Sequence, residues 1–127
     1  SVGGVYERIL VGTDGSDTAA LAVDRAVEVA RALGSTLTMF CVGTPTRASA
    51  VVTKEAARHA GAGVDIRTET ATGDPSSALV DRAEQGDIDL LVLGNKGMTG
   101  PSRFLLGSVP NKVSHHAPIA VLIVRTV

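Results

Sequence analysis

One segment near the C-terminus is rich in glycine and ends in a serine. Residues 94–109 read GNKGMTGPSRFLLGSV, between an apolar run and a predicted helix. Glycine loses more conformational freedom on folding than any other residue, so several in one loop carry a cost that a packed core does not require. Backbone N–H groups of such a loop, and of a helix opening at Gly107-Ser108, can surround an anion. The spacing favours a phosphate site over a loop whose glycines only serve turns.

A second polar cluster, Gly12-Thr13-Asp14-Gly15-Ser16, follows the first apolar run. A carboxylate placed beyond a strand of a parallel sheet is a good acceptor for ribose hydroxyls or for an adenine amine. The alternative is that Asp14 only caps the first helix or its turn. If both clusters lie at one crevice, a single nucleotide would span them, and the ribose interpretation gains.

Composition and motifs exclude several other classes. A net charge of −1 and an aromatic content of 2 % argue against a nucleic-acid partner. The glycine loop lacks the Gly-Lys-Ser/Thr of a phosphate-binding P-loop, and the dinucleotide fingerprint would follow the first strand instead. A single cysteine, Cys41, excludes an internal disulfide and lies in an apolar run, which predicts a buried thiol. The adjacent His115 and His116 point to different sides of a helix, so we expect no metal site there.

Hydrophobic periodicity predicts alternating strands and helices in one domain that covers residues 1–127. Strands are predicted at 7–12, 36–43, 64–72, 88–94 and 119–124, and helices at 17–33, 47–61, 75–85 and 108–116. Ser16 or Asp17 would cap the first helix, and Asp74 followed by Pro75 would begin the third. The pattern indicates a doubly wound α/β fold with a parallel sheet, helices on both faces and the charged third strand at an edge.

The chain resembles the universal stress protein family over nearly its whole length. The motifs ILVGTDGS, DLLVLGNKG and GSVPNKVSHHAPIAVLIV occur in the family's order, and Gly94, Gly97, Gly107 and Ser108 have the spacing of its ATP-binding pattern. The resemblance implies a five-stranded parallel sheet of order 3-2-1-4-5 and a homodimer. We assign the dimer contact to the edge strand 119–124, which carries no charge and would otherwise be an exposed edge.

The resemblance also implies a nucleotide site, with ATP as ligand, accompanied by Mg or Mn, and cyclic AMP as the alternative. The residues it implicates are Thr13, Asp14, Val42, Leu93, Gly94, Gly97, Gly107, Ser108 and Val109. Asp14 would take the ribose or adenine, Val42 would touch adenine, and the glycines with Ser108 would surround the phosphates. The segment 45–61 is shorter than is usual in the family, which affects how the adenine side is covered.

These features predict a nucleotide-binding stress or signalling module with little or no catalysis. A slow ATP hydrolase on the same fold is one alternative, although neither catalytic residues nor metal ligands are visible. A phosphoacceptor receiver domain is another, since Asp74 follows the third strand, but Arg125 stands where a lysine is needed. No stretch approaches the roughly 18 apolar residues that span a bilayer, so we expect a cytoplasmic protein without a membrane partner.

Overall fold

The computed structural model describes residues 6–95 and 119–126, which form one five-stranded sheet with helices packed on it. The elements in chain order are β1 (Arg8–Gly12), α1 (Asp17–Leu33), β2 (Thr36–Val42), α2 (Pro45–Arg58), β3 (Asp65–Ala71), α3 (Pro75–Ala83), β4 (Leu90–Gly94) and β5 (Ala120–Val124). The predicted helix 108–116 lies outside the described residues.

The strand order is β3-β2-β1-β4-β5, and every pair of neighbours is parallel. The predicted α/β fold and its order are therefore confirmed, with the charged strand β3 at one edge. Receiver domains have the order 2-1-3-4-5 instead. The observed order rules out the receiver alternative.

Helix boundaries follow from local capping chemistry. Ser16 caps α1, because its hydroxyl oxygen accepts a hydrogen bond from the Ala19 N–H at 3.1 Å. Asp74 does the same for α3, with Pro75 in the first turn as predicted. Helix α2 begins at Pro45 rather than at 47 and ends at Arg58 rather than at 61. Thr44 caps it, and a proline suits the first helical position because its missing N–H would have no partner there.

The sheet is covered on both faces by separate apolar clusters. Helices α1 and α2 pack on one face, over Ile9, Val11 and Met39, and α3 packs on the other, over Leu10 and Leu91. Cys41 is buried on the α1–α2 face, as predicted. In the part of the chain that is described, no helix has the length and apolar character needed to cross a membrane.

Candidate functional site at the carboxyl edge of the sheet

The order in which the strands are added to the sheet reverses at β1, in its centre. Strand β1 pairs with β2 on one side and with β4 on the other, and α1 and α3 lie on opposite faces. Ligands of open α/β sheets bind outside the carboxyl ends of the strands at such a switch point. The described residues at the carboxyl ends of β1, β2 and β4 therefore lie at one edge of the sheet, where the sequence analysis expects the crevice.

The loop after β1 is held by a set of short hydrogen bonds. The Thr13 N–H donates to the Phe40 carbonyl at 2.9 Å, which carries the β1–β2 pairing one residue past the strand. The Thr13 hydroxyl oxygen accepts from the Gly15 N–H at 3.1 Å, and Asp14 Oδ1 accepts from the Ser16 N–H at 2.9 Å. Thr13 and Asp14 are thus positioned by backbone groups of their own loop.

Asp14 is engaged through one carboxylate oxygen only. Its Oδ1 accepts the Ser16 N–H, so it stabilises the turn before α1. Among the described residues its Oδ2 has no hydrogen-bond partner, and the side chain is half-buried. A carboxylate has acceptor sites on both oxygens, so the turn contact leaves one oxygen able to accept from a ligand.

The other described candidates lie at the ends of the two neighbouring strands. Val42 ends β2 and is half-buried against the α3-side cluster. Leu93 is 2 % exposed in the same cluster, and Gly94 ends β4. The structure thus brings Thr13, Asp14, Val42, Leu93 and Gly94 to adjacent strand ends. The remaining candidates, Gly97, Gly107, Ser108 and Val109, lie outside the described residues.

Asn95 anchors the point where the glycine segment leaves β4. Its side-chain Oδ1 accepts from the Thr126 N–H at 2.9 Å and from the Thr126 hydroxyl at 2.8 Å. Its own N–H donates to the Val124 carbonyl at 3.0 Å. The sequence analysis did not identify this role; an asparagine directly after a buried strand was the available signal.

Helix α2 supplies a second contact that the sequence did not reveal. Gly15 has a φ of +82°, and a Cβ added to it would lie 2.9 Å from Val51 Cγ2. The helix therefore packs directly on the loop that carries Thr13 and Asp14, at a position where only glycine fits.

A cavity of about 370 Å³ lies between α3 and the edge strand β3. Two of its charged lining residues, Arg82 and Glu69, are paired with each other, since the Arg82 guanidinium donates to Glu69 at 2.8 Å and also to Asp87, outside the lining, at 2.7 Å. Hydrogen bonding to Glu69 raises the pKa of Arg82 in spite of its burial, and hydrogen bonding to Arg82 lowers the pKa of Asp87. This cavity does not include the candidate residues Thr13, Asp14 or Gly94.

Histidine and acidic side chains do not assemble a metal centre in residues 6–95 and 119–126, where no group of three or more potential ligands is found. His59 Nε2 lies 2.9 Å from Asp24 Oδ1, in a cluster that also contains Arg58 and Glu55. The cluster links the end of α2 to α1 and is structural. His115 and His116 lie outside the described residues.

The model of the universal stress protein family matches this chain over residues 5–56 and 43–125. The chain is 36 % identical to universal stress protein Rv1636 of Mycobacterium tuberculosis, over 95 % of this chain and 97 % of that protein. It is 30 % identical to universal stress protein YxiE of Bacillus subtilis, over 95 % of this chain and all of that protein.

A solved structure of a related protein is also similar to this chain in three dimensions. A universal stress protein in complex with cAMP is 39 % identical, covers 97 % of this chain and 99 % of its own, and superposes with a TM-score of 0.76.

The comparisons also locate a shortened connection. The alignment with the mycobacterial relative has 144 positions, and 95 % of 127 residues is about 121, so this chain lacks about 23 of them. Residues 43–56 belong to both matched segments of the family model. This overlap indicates that the shortening falls after β2, where Gly43 and Thr44 alone separate β2 from α2.

Proposed function

The chain belongs to the universal stress protein family, and on that premise we propose that it binds ATP at the carboxyl edge of β1, β2 and β4. It would act as a stress or signalling module with little or no catalysis. The observation that carries the proposal is the placement of Asp14 and Gly94 at the ends of adjacent strands. Gly94 is also the first residue of the Gly94, Gly97, Gly107, Ser108 spacing.

The roles proposed for the residues follow from their chemistry. Asp14 accepts ribose or adenine groups through its Oδ2, with Thr13 beside it, and Val42 offers an apolar surface to adenine. Backbone amides at Gly94, Gly97 and Gly107 surround the phosphates, because anions are stabilised by N–H groups without other partners. Ser108 adds a hydroxyl donor. Val109 would lie beside the phosphates and ribose, with Leu93 nearby.

Weak catalysis is proposed because efficient phosphoryl transfer needs a positioned base or a metal held by carboxylates. In the loop after β1 the acids are Asp14 and Asp17, and Asp17 begins α1. Any Mg²⁺ or Mn²⁺ would accompany the phosphates of ATP. Release of inorganic phosphate from ATP at a rate typical of enzymes would contradict this part of the proposal.

Cyclic AMP is the second candidate ligand. The relative that shares 39 % identity with this chain was solved in complex with it. Both nucleotides present adenine, ribose and phosphate to the same strand ends, so mass spectrometry of the ligand released from freshly purified protein should identify which is carried.

A calorimetric titration with ATP tests the site itself. We expect Gly107→Val to abolish ATP binding and leave the fold intact, because a β-branched side chain blocks close approach to the backbone. Gly61→Val is the matched control, since a Cβ at Gly61 meets nothing within 4 Å. Unchanged ATP affinity in Gly107→Val would show that the phosphates bind elsewhere.

We also propose a homodimer through the β5 edge. Strand β5 is the last in the sheet, its residues Ala120–Val124 carry no charge, and Ile123 is 39 % exposed. Ile123→Lys should shift the sedimentation coefficient from dimer to monomer, whereas Leu21→Lys, at an exposed leucine of α1, should not. A wild-type chain that sediments as a monomer would refute the dimer.

A further inference from the structure

The pairing of β1 with β4 ends before either strand does. The last pair between these two strands is Val11 with Val92. Strand β1 stays paired with β2 as far as Gly12, and β4 stays paired with β5 as far as Gly94. The ends of β1 and β4 are therefore each paired with their outer neighbour and not with each other, which leaves a gap between them at the switch point, where ligands of such sheets bind.

Hydrogen bonds beyond the strand ends fix the two sides of this β1–β4 gap. The Thr13 N–H donates to the Phe40 carbonyl of β2 at 2.9 Å, and the Asn95 N–H donates to the Val124 carbonyl of β5 at 3.0 Å. Asp14 and Asn95 each lie three residues past the last β1–β4 pair, one on each side of the gap. Both are half-buried, so part of each side chain is accessible to a ligand.

The Asn95 side chain offers hydrogen-bond donors. Its Oδ1 accepts from both the N–H and the hydroxyl of Thr126, which follows β5. The oxygen and the nitrogen of an amide lie on opposite sides of the side-chain axis, so Nδ2 turns away from Thr126. Within residues 6–95 and 119–126, Nδ2 has no hydrogen-bond partner. Strand β1 flanks β4 on the side away from β5, which is also the side of the gap.

Asp14 offers the opposite chemistry on the other side of the gap. Its Oδ1 is used by the Ser16 N–H, and its Oδ2 remains able to accept from a ligand. A carboxylate acceptor facing amide donors suits a group that both donates and accepts hydrogen bonds, as a pair of hydroxyls does. Val42, to which the proposed function assigns adenine, ends β2 on the far side of β1. The sugar rather than the base therefore falls at the gap.

We propose, resting on the nucleotide site described above, that the β1–β4 gap holds the ribose through Asp14 and Asn95 together. Asn95 Nδ2 faces the gap and donates to one ribose hydroxyl, while Asp14 Oδ2 accepts from the other, as a carboxylate at this edge of a parallel sheet can. The ligand is then an adenine ribonucleotide whose 2′ and 3′ hydroxyls are both free. Cyclic AMP has no free 3′ hydroxyl, so the site favours ATP over it.

Calorimetric titration of the full chain with ATP, 2′-deoxy-ATP and 3′-deoxy-ATP tests this ribose site. The three probes carry the same charge and differ by one hydroxyl, so the ratios of their affinities report on single hydrogen bonds. We expect ATP to bind the wild type about tenfold more tightly than either deoxynucleotide, which is the effect of one hydrogen bond. These wild-type ratios test the proposal even if a variant fails to fold.

Substitutions on the two sides of the gap should act on different hydroxyls. Asn95→Ala should abolish one of the two preferences for ATP, because it removes the amide donors. Asp14→Asn should abolish the other, because it removes the charged acceptor and keeps an oxygen for the Ser16 N–H. A preference over one deoxynucleotide alone that survives Asn95→Ala would leave Asp14 as the sole ribose contact and overturn the role of Asn95.

Thr126→Val is the matched control for Asn95. It removes the hydroxyl that donates to Asn95 Oδ1 but keeps the Asn95 amide and the Thr126 backbone N–H. We expect both preferences for ATP to survive in this variant. Their loss would show that Asn95 acts only by anchoring the chain to the end of β5, and would overturn its contact with the ribose.

The remaining outcomes separate this inference from the function on which it rests. Equal affinities of the wild type for ATP and both deoxynucleotides would show that the gap does not hold the ribose, although nucleotide binding stands. Tighter binding of cyclic AMP than of ATP by the wild type would overturn the inference in the same way. If no adenine nucleotide binds the wild type, the proposed function fails and this inference fails with it.

Discussion

Asp89 at the amino end of the sheet and Asp14 at the carboxyl end are both aspartates beside a central strand, but their surroundings differ. Asp89 Oδ2 accepts from the backbone N–H groups of Glu7 and Arg8 at 3.1 and 3.0 Å, and its Oδ1 lies 3.2 Å from the Arg8 guanidinium. Asp14 uses one oxygen for the Ser16 N–H and has no other partner among the described residues.

The other polar groups at the two ends of the sheet differ in the same way. At the amino end the Ser35 hydroxyl donates to the Tyr6 carbonyl, and the Thr36 N–H donates to the Glu7 carbonyl. Polar groups there are hydrogen-bonded to other groups of the protein, so their role is to hold β1, β2 and β4 in register. At the carboxyl end Asp14 keeps hydrogen-bonding capacity on its Oδ2, which is what a binding site requires.

The largest effect should come from Gly15→Ala, at the carboxyl end. An L-residue at positive φ costs about 1–2 kcal/mol, and overlap with Val51 adds about 1–3 kcal/mol, because valine cannot rotate away easily. We expect the free energy of unfolding in urea to fall by about 2–5 kcal/mol.

Gly63→Ala separates these two causes. Gly63 also has a positive φ, +77°, but a Cβ there meets nothing within 4 Å. Its loss should be confined to the backbone strain, and Val51→Ala should recover part of the loss in Gly15→Ala. Equal losses in the two glycine variants would mean that α2 does not press on the loop.

Next in size is Asp89→Ala, at the amino end. It leaves two backbone N–H groups without their acceptor, and we expect a loss of about 2 kcal/mol in the free energy of unfolding. Asp89→Asn keeps one acceptor oxygen and should lose less. Nucleotide affinity should stay unchanged in both, since the strand ends proposed to bind the nucleotide lie at the opposite edge. A tenfold loss of affinity would contradict this division between the two ends.

Lowering the pH should also reduce the stability that Asp89 contributes, by less than the Asp89→Ala substitution does. Burial alone would raise the pKa of Asp89, but hydrogen bonds from Arg8 and from the backbone outweigh it and hold the pKa below its ordinary value. A carboxyl whose pKa is lower in the folded state stabilises the fold above the unfolded pKa of about 4, and this stability disappears as pH falls through the folded pKa.

The stability difference between wild type and Asp89→Asn should therefore be constant from neutral pH down to about 5 and shrink below about 4. Urea unfolding at a series of pH values measures it. A difference that grows as pH falls would have the wrong sign.

The smallest change in stability is expected for Asp14→Asn. The asparagine oxygen can still accept the Ser16 N–H, so the free energy of unfolding should change by less than about 0.5 kcal/mol. Affinity for the bound nucleotide should fall about tenfold, because a charged acceptor is replaced by a neutral one. A large loss of stability with unchanged affinity would make Asp14 a turn residue and nothing more.

Local sequence patterns predicted the elements well where caps and periodicity agreed. Gly34 ends α1 with a φ of +69°, and Asp74 and Pro75 begin α3, as their residue types indicate. The start of α2 was placed two residues too late, because the alanine-rich pattern begins after Pro45. The strand order came from the family resemblance, and the parallel pairing of β1 with β2 and β4 confirmed it.

The candidate site was predicted only in part. Asp14 and Gly94 could be named because glycine spacing and a carboxylate after a strand are local signals with a known chemistry. Asn95 and Val51 could not be named, because the partner of Asn95 lies 31 residues away and the partner of Val51 lies on a different element. No local pattern specifies which helix turn meets which loop.

The sequence by itself determined the chemistry at each strand end, since residue type and spacing are local and the strand ends of a parallel sheet share one edge. The tertiary structure alone decided which charges are neutralised by the protein. Asp89 meets Arg8 only once β1 and β4 pair, and Arg82 meets Glu69 only once α3 lies beside β3. Such encounters depend on the packing of whole elements, which a run of neighbouring residues does not encode.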